Sequence, residues 1–81
     1  MKRIGKVIHI TRSGDLILRS DFAPRIGDPV YGPDLKRVGI IADVFGPVRA
    51  PYVAVRPLVD DPSRLVGRVL YVGRVRRWRR G

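Results

Sequence analysis

Arg37-Val38-Gly39-Ile40-Ile41-Ala42-Asp43-Val44-Phe45 runs into Gly46-Pro47-Val48-Arg49-Ala50-Pro51 and then into Tyr52-Val53-Ala54-Val55-Arg56-Pro57. Val38, Ile40, Ala42 and Val44 recur at every second position, which predicts a strand with those four on one face and Ile41 and Phe45 on the other. Gly46-Pro47 interrupts it, because proline fixes its own φ and removes a ladder donor. Pro51 then opens a second β-branched run over residues 52–56, with Tyr52 facing away from Val53 and Val55. Two strands joined by a proline-rich turn set the pattern for the whole chain.

The same pattern extends in both directions. Residues 3–11 read as a strand whose Ile4, Ile8 and Ile10 share a face, with Lys6 breaking the stripe. Ser13-Gly14-Asp15 turns it into Leu16-Ile17-Leu18-Arg19, so these two runs predict a hairpin. Phe22-Ala23-Pro24-Arg25-Ile26-Gly27-Asp28-Pro29 reads as a loop, Val30-Tyr31 as a short strand, and Gly32-Pro33-Asp34 as another turn. After Pro57 and the Asp61-Pro62-Ser63 loop, residues 68–72 close the set, and Gly73 separates them from a tail. Seven prolines and nine glycines leave no window with helical apolar spacing. Six short strands without a crossover helix predict an all-β fold, a small closed six-stranded antiparallel β-barrel over residues 1–73 followed by an arginine-rich tail over 74–81. Closure is favoured because an open sheet this small leaves an exposed edge. The strand order stays open.

The 81 residues suffice for one domain and one core. A chain this short buries only about 60% of its unfolded surface, so its stability is thin and a partner surface can add to it. With no cysteine and a single histidine, His9, the sequence has neither disulfides nor thiolate metal sites, and no imidazole pair for a metal. No metal or other cofactor is expected. No apolar run approaches a membrane span or a signal peptide, which predicts a soluble cytoplasmic protein. Lys and Arg number 17 against 7 acids, a net charge of +10 that points to an acidic partner, nucleic acid first. Half of that excess lies in the tail, where Arg74, Arg76, Arg77, Arg79 and Arg80 face no acid.

In a small barrel one strand face fills the interior and the other meets water. Ile41, Phe45 and Tyr52 depart from this, and Pro47, Val48 and Pro51 add apolar area in the turn. Burying a Phe or Val stabilises by about 1.5–3 kcal/mol, so a wet cluster forgoes several such contributions. Two readings compete: the aromatics plug the barrel ends, or they form a protein-docking patch. The prolines and glycines around the group favour docking, since a rigid surface loses less entropy on binding.

Asp43-Val44-Phe45-Gly46-Pro47-Val48 followed by Pro51-Tyr52-Val53-Ala54-Val55-Arg56-Pro57 resembles the signature of the small glycine/arginine-rich-type subunit of H/ACA ribonucleoproteins, which guide pseudouridine synthesis in ribosomal RNA. Gly5-Lys6-Val7, Phe22-Ala23-Pro24-Arg25-Ile26-Gly27 and Arg37-Val38-Gly39 are also similar to that family and come in the same order, so the likeness covers about residues 3–73. The resemblance implies a six-stranded barrel of the translation-protein/reductase-like type. It also implies a non-catalytic subunit that docks on a dyskerin-like pseudouridine synthase and assists substrate loading and product release, with any contact to guide or substrate RNA indirect. The docking surface it implies is Val44, Phe45, Gly46, Pro47, Val48, Pro51 and Tyr52. Long glycine/arginine-rich flanks are absent, so the chain is similar to an archaeal-type core; a eukaryotic member would be nucleolar.

The tail adds Trp78 to its five arginines. Guanidinium groups pair with phosphate and an indole stacks on unpaired bases, so Arg74, Arg76, Arg77, Trp78, Arg79 and Arg80 are candidate RNA contacts. A solvated end, or Trp78 packed on protein, are the alternatives. Chemistry has little support. Asp60 and Asp61 are adjacent before Pro62, Asp43 has no His or Lys partner, and His9 reads as a surface strand residue. Asp43 is expected to order the Gly46-Pro47 turn or to pair with a cation on a partner. The rival to a docking subunit is a stand-alone basic RNA-binding barrel of ribosomal, OB or cold-shock type. That class displays several aromatics on exposed strand faces.

Overall fold

The computed structural model describes residues 1–73. Six strands, β1 (Lys2–Ile10), β2 (Leu16–Arg19), β3 (Pro29–Tyr31), β4 (Arg37–Phe45), β5 (Tyr52–Pro57) and β6 (Val69–Val72), close into a barrel in the order β1-β2-β5-β4-β3-β6. Every pairing is antiparallel. The all-β, closed six-stranded architecture is the one the turn spacing predicts. The second loop differs in detail, since Pro62–Leu65 winds into one turn of 3-10 helix. Proline at its start fits, because the first amides of a helical turn lack partners anyway.

Strict alternation fails in the two long strands, and this corrects two facial assignments. In β1 the inward residues are Ile4, Val7 and Ile10, while Ile8 is 49% exposed. In β4 they are Val38, Ile41 and Val44, and Ile40 and Ala42 turn away from the core. Ile41, assigned from the sequence to the outer face, is only 1% exposed. Each strand carries two register shifts, between Arg3 and Gly5 and between Val7 and His9 in β1, and between Arg37 and Gly39 and between Ile41 and Asp43 in β4. A bulge inserts one residue and reverses the facing of everything after it. Two bulges convert a period of two into inward residues three apart and bend the strand around the barrel.

The two strands match because the barrel has an internal two-fold. Carrying β1 onto β4, β2 onto β5 and β3 onto β6 preserves the pairing. Val7↔Leu18, His9↔Ile17 and Ile10↔Leu16 become Ile41↔Val55, Asp43↔Ala54 and Val44↔Val53. Likewise Gly5↔Leu70 and Arg3↔Tyr71 become Gly39↔Val30 and Arg37↔Tyr31. The loops obey the same relation. Gly67 N–H donates to Val7 O at 2.9 Å and Val7 N–H to Arg68 O at 3.0 Å; Gly27 N–H donates to Ile41 O at 2.8 Å and Ile41 N–H to Asp28 O at 3.0 Å. Gly27 and Gly67 hold matching φ values of 96° and 86°, a left-handed conformation that L side chains avoid.

Gly5 and Gly39 are the two-fold-related points of closest approach. A Cβ on Gly5 would meet the Arg19 carbonyl oxygen at 2.1 Å, and one on Gly39 the Arg56 carbonyl oxygen at 2.4 Å. Only glycine lets the coiled strands cross there. The core between them joins Leu16, Leu18, Val30, Val53, Val55, Leu70 and Val72 to the inward residues of β1 and β4.

Candidate protein-docking site

Phe45 and Tyr52 are the last residues paired between β4 and β5, and Tyr52 is also paired with Arg19 of β2. The inward position before Phe45 belongs to Val44, so Phe45 is directed outward. Its ring stacks on Tyr52 with centroids 5.7 Å apart and planes 24° apart. Phe45 nevertheless stays 45% exposed and Val48, at the apex, 93%. The aromatics therefore do not plug the barrel. Gly46 starts the connecting turn at φ 93°, where a Cβ would meet the Tyr52 ring at 3.0 Å, so the turn packs on the aromatic pair. Ala50 N–H donates to Pro47 O at 3.3 Å across the turn.

Of the seven residues implied for docking, Phe45, Gly46, Pro47 and Val48 are exposed and Tyr52 is half-buried. The other two underlie them. Val44 is half-buried against the core, and Pro51 is buried with its carbonyl accepting the Ser20 N–H at 2.9 Å. Asp43 does not order the turn. It sits at the β4 bulge opposite Ala54, and its Oδ1 accepts the Val44 N–H at 2.8 Å. The tail residues Arg74, Arg76, Arg77, Trp78, Arg79 and Arg80 lie outside the described residues.

The sequence reading missed Arg19. From the end of β2 its guanidinium lies over the Tyr52 ring, 4.9 Å from the centroid. Its Nε donates to Ala50 O at 3.3 Å and its Nη1 to the Tyr52 hydroxyl at 3.4 Å. One side chain thus ties β2 to both the turn and the aromatic stack. Such cation–π contacts contribute about 0.5–1 kcal/mol at exposed sites. The available signal was indirect, an arginine closing an otherwise apolar strand two turns away in sequence.

Elsewhere the surface of the described residues carries two open crevices. One of about 560 Å³ is lined by Lys36, Arg37, Arg64 and Arg68 together with Asp34, Asp60 and Asp61. Its two-fold relative, about 470 Å³, lies between Lys2, Phe22, Arg25 and Asp28, with the Lys2 ammonium 4.1 Å above the Phe22 ring. His9 is exposed on β1 and belongs to neither. Among the described residues no three His, Cys, Asp or Glu side chains converge on a metal position, and no helix is long and apolar enough to cross a membrane.

Comparison with known proteins adds relatives but no activity. No family model matches the sequence. A protein of Methanothermobacter thermautotrophicus, described as uncharacterized, is 40% identical over 86 residues, covering 99% of this chain and 94% of its own length. An uncharacterized protein of Methanocaldococcus jannaschii is 36% identical over 56 residues, 69% of this chain and 68% of that protein. Identity at that level along nearly the whole of both chains means that this six-stranded barrel belongs to the same family as the Methanothermobacter thermautotrophicus protein.

Proposed function

We propose that this barrel is a non-catalytic subunit of an H/ACA-type ribonucleoprotein. It docks through the β4–β5 tip on a dyskerin-like pseudouridine synthase and promotes RNA-guided pseudouridylation of ribosomal RNA. The observation that carries the reading is the tip itself, where Phe45 and Val48 are exposed and the half-buried Tyr52 stacks on Phe45 under the Arg19 guanidinium. Scattered exposed apolar residues are ordinary, and Ile26 and Leu58 are examples here. A stacked pair with an apolar apex, rimmed by Arg19 and Arg49, is instead the composition of an interface anchor. Its bracing lowers the entropy lost on docking. The signature Asp43-Val44-Phe45-Gly46-Pro47-Val48 with Pro51-Tyr52 supports the identity of the partner.

The test is calorimetric titration of the chain into the purified synthase, without RNA, in about 0.5 M salt, where charge is screened beyond a few ångströms. One-to-one binding is expected, and Phe45→Ala should weaken it by about 2 kcal/mol, roughly thirty-fold, while the variant stays folded. Absence of binding, with tight RNA binding by the isolated chain at low salt, would favour the stand-alone RNA-binding barrel.

A further inference from the structure

The wall of the barrel around the β3–β6 pair carries a second feature, independent of the docking tip. Val30, Leu70 and Val72 point into the core, so their neighbours Tyr31 and Tyr71 point outward, and both are half-buried. The two tyrosines are direct cross-strand partners. Tyr71 is paired in turn with Arg3 on β1, and Tyr31 with Arg37 on β4. Both arginines are exposed. An unbroken row, Arg3-Tyr71-Tyr31-Arg37, therefore crosses four adjacent strands and is symmetric about the internal two-fold. With strands about 4.8 Å apart it spans roughly 14 Å.

The row has an electropositive setting. Among the described residues the one side-chain ion pair, Arg56 with Asp15 at 3.8 Å, lies elsewhere and leaves Arg3 and Arg37 without an ionic partner. Lys6 and Arg68 are exposed on the flanking strand and loop. The crevice beside Arg37 holds Asp34, Asp60 and Asp61, but four cations line it. Gly73, the last described residue, backs onto the row. A Cβ there would meet the Tyr31 ring at 2.6 Å, and Gly73 N–H donates to Pro29 O at 3.0 Å. The sequence continues from that point with Arg74-Val75-Arg76-Arg77-Trp78-Arg79-Arg80.

We propose that this wall is a binding site for single-stranded RNA. Tyr31 and Tyr71 present ring surface to unpaired bases, and Arg3 and Arg37 hold the phosphates on either side. Paired aromatics flanked by cations are what sequence-tolerant single-strand recognition requires, since every base has a π-face and every linkage a charge. A duplex buries its base faces and offers only the charge, so the aromatic half of the row selects for unpaired strands. The proposal does not rest on docking to a synthase.

Fluorescence anisotropy of the full chain with a labelled pyrimidine oligoribonucleotide of about a dozen nucleotides tests it. Arg3→Gln with Arg37→Gln should weaken binding about tenfold at low salt and flatten the log K against log salt slope by about 1.4, the share of two single-strand phosphates. The control, Arg12→Gln with Arg56→Gln, removes the same charge from outside the row and should leave affinity within about twofold. Tyr31→Leu and Tyr71→Leu should each cost about fivefold without changing the slope. Circular dichroism identifies any tyrosine variant that unfolds; the arginine pair then decides, because exposed arginines can be replaced without touching the core. Equal losses in the two arginine pairs, or equal affinity for single strand and duplex, would overturn the proposal.

Discussion

The β1–β2 hairpin and its two-fold mate β4–β5 place equivalent residues at equivalent points, but their tips differ in chemistry. The first tip carries Thr11 and Asp15 where the second carries Phe45 and Tyr52. In the first, Thr11 N–H donates to Asp15 O at 2.9 Å, Asp15 N–H donates to Thr11 Oγ1 at 3.1 Å, and the Thr11 and Ser13 hydroxyls lie 3.0 Å apart. In the second, two rings stack and a guanidinium covers one of them. The barrel therefore closes a hairpin at this position with short polar side chains alone. The aromatic pair is not needed to close a hairpin at this position, and its exposure supports the docking reading proposed above. A single hairpin viewed alone does not license that conclusion.

The comparison breaks most severely where the halves should behave alike. Gly5→Ala and Gly39→Ala push a methyl into the backbone carbonyls of Arg19 and Arg56. Each should lower stability by about 3 kcal/mol or more, enough to unfold a domain of this size under ordinary conditions. Urea denaturation followed by circular dichroism measures both. If one variant folds as stably as the parent while the other collapses, the halves are not equivalent at their crossings.

A smaller effect should separate the tips. Phe45→Thr gives the second hairpin the side chain of the first. Since Phe45 is about half in water, the cost in stability should stay near 1 kcal/mol, about 4–8 °C in Tm. Binding to the synthase should fall by about 2 kcal/mol. The mirror change, Thr11→Phe, should leave docking untouched. Equal binding losses from the two variants would mean that the apolar tip has no special part in recognition.

Much of this comparison stands in the sequence. Arg3-Ile4-Gly5-Lys6-Val7-Ile8-His9-Ile10 aligns with Arg37-Val38-Gly39-Ile40-Ile41-Ala42-Asp43-Val44, and Ile26-Gly27 precedes Tyr31 as Val66-Gly67 precedes Tyr71. Strand number, turns and the Phe45/Tyr52 departure are legible because proline, glycine and β-branched residues act locally. Strand facing in β1 and β4 was not, because a period-two reading places Ile8 with Ile4 and sets Ile41 against Val38. Spacing of three, Ile4-Val7-Ile10 and Val38-Ile41-Val44, is the trace that a twice-bulged strand leaves, and the repeat shows that it is no accident. The Arg3-Tyr71-Tyr31-Arg37 row depends on strand order, which no local signal encodes. Arg19 reaches its partners only through the β2–β5 pairing.

The finest separation lies between Arg19 and Arg56, which the two-fold makes equivalent at the ends of β2 and β5. Arg56 extends into solvent toward Asp15, with Nε 3.8 Å from a carboxylate oxygen and its side chain 65% exposed. Exposed pairs of that kind contribute about 0–1 kcal/mol and weaken with salt. Arg19 instead makes two hydrogen bonds and covers an aromatic ring, contacts that salt screens less. Arg56→Ala should therefore shift stability by no more than about 0.5 kcal/mol, and the difference should vanish in concentrated salt. Arg19→Ala should cost about 1 kcal/mol at any salt and loosen the tip, so docking weakens although Phe45 and Tyr52 are intact. Thermal melts of both variants at low and high salt check the pair. If Arg19→Ala loses its effect in salt as Arg56→Ala does, Arg19 is a surface charge and the brace does not exist. If it persists, the second half of the barrel has recruited a side chain of the first to hold its exposed aromatic tip in place.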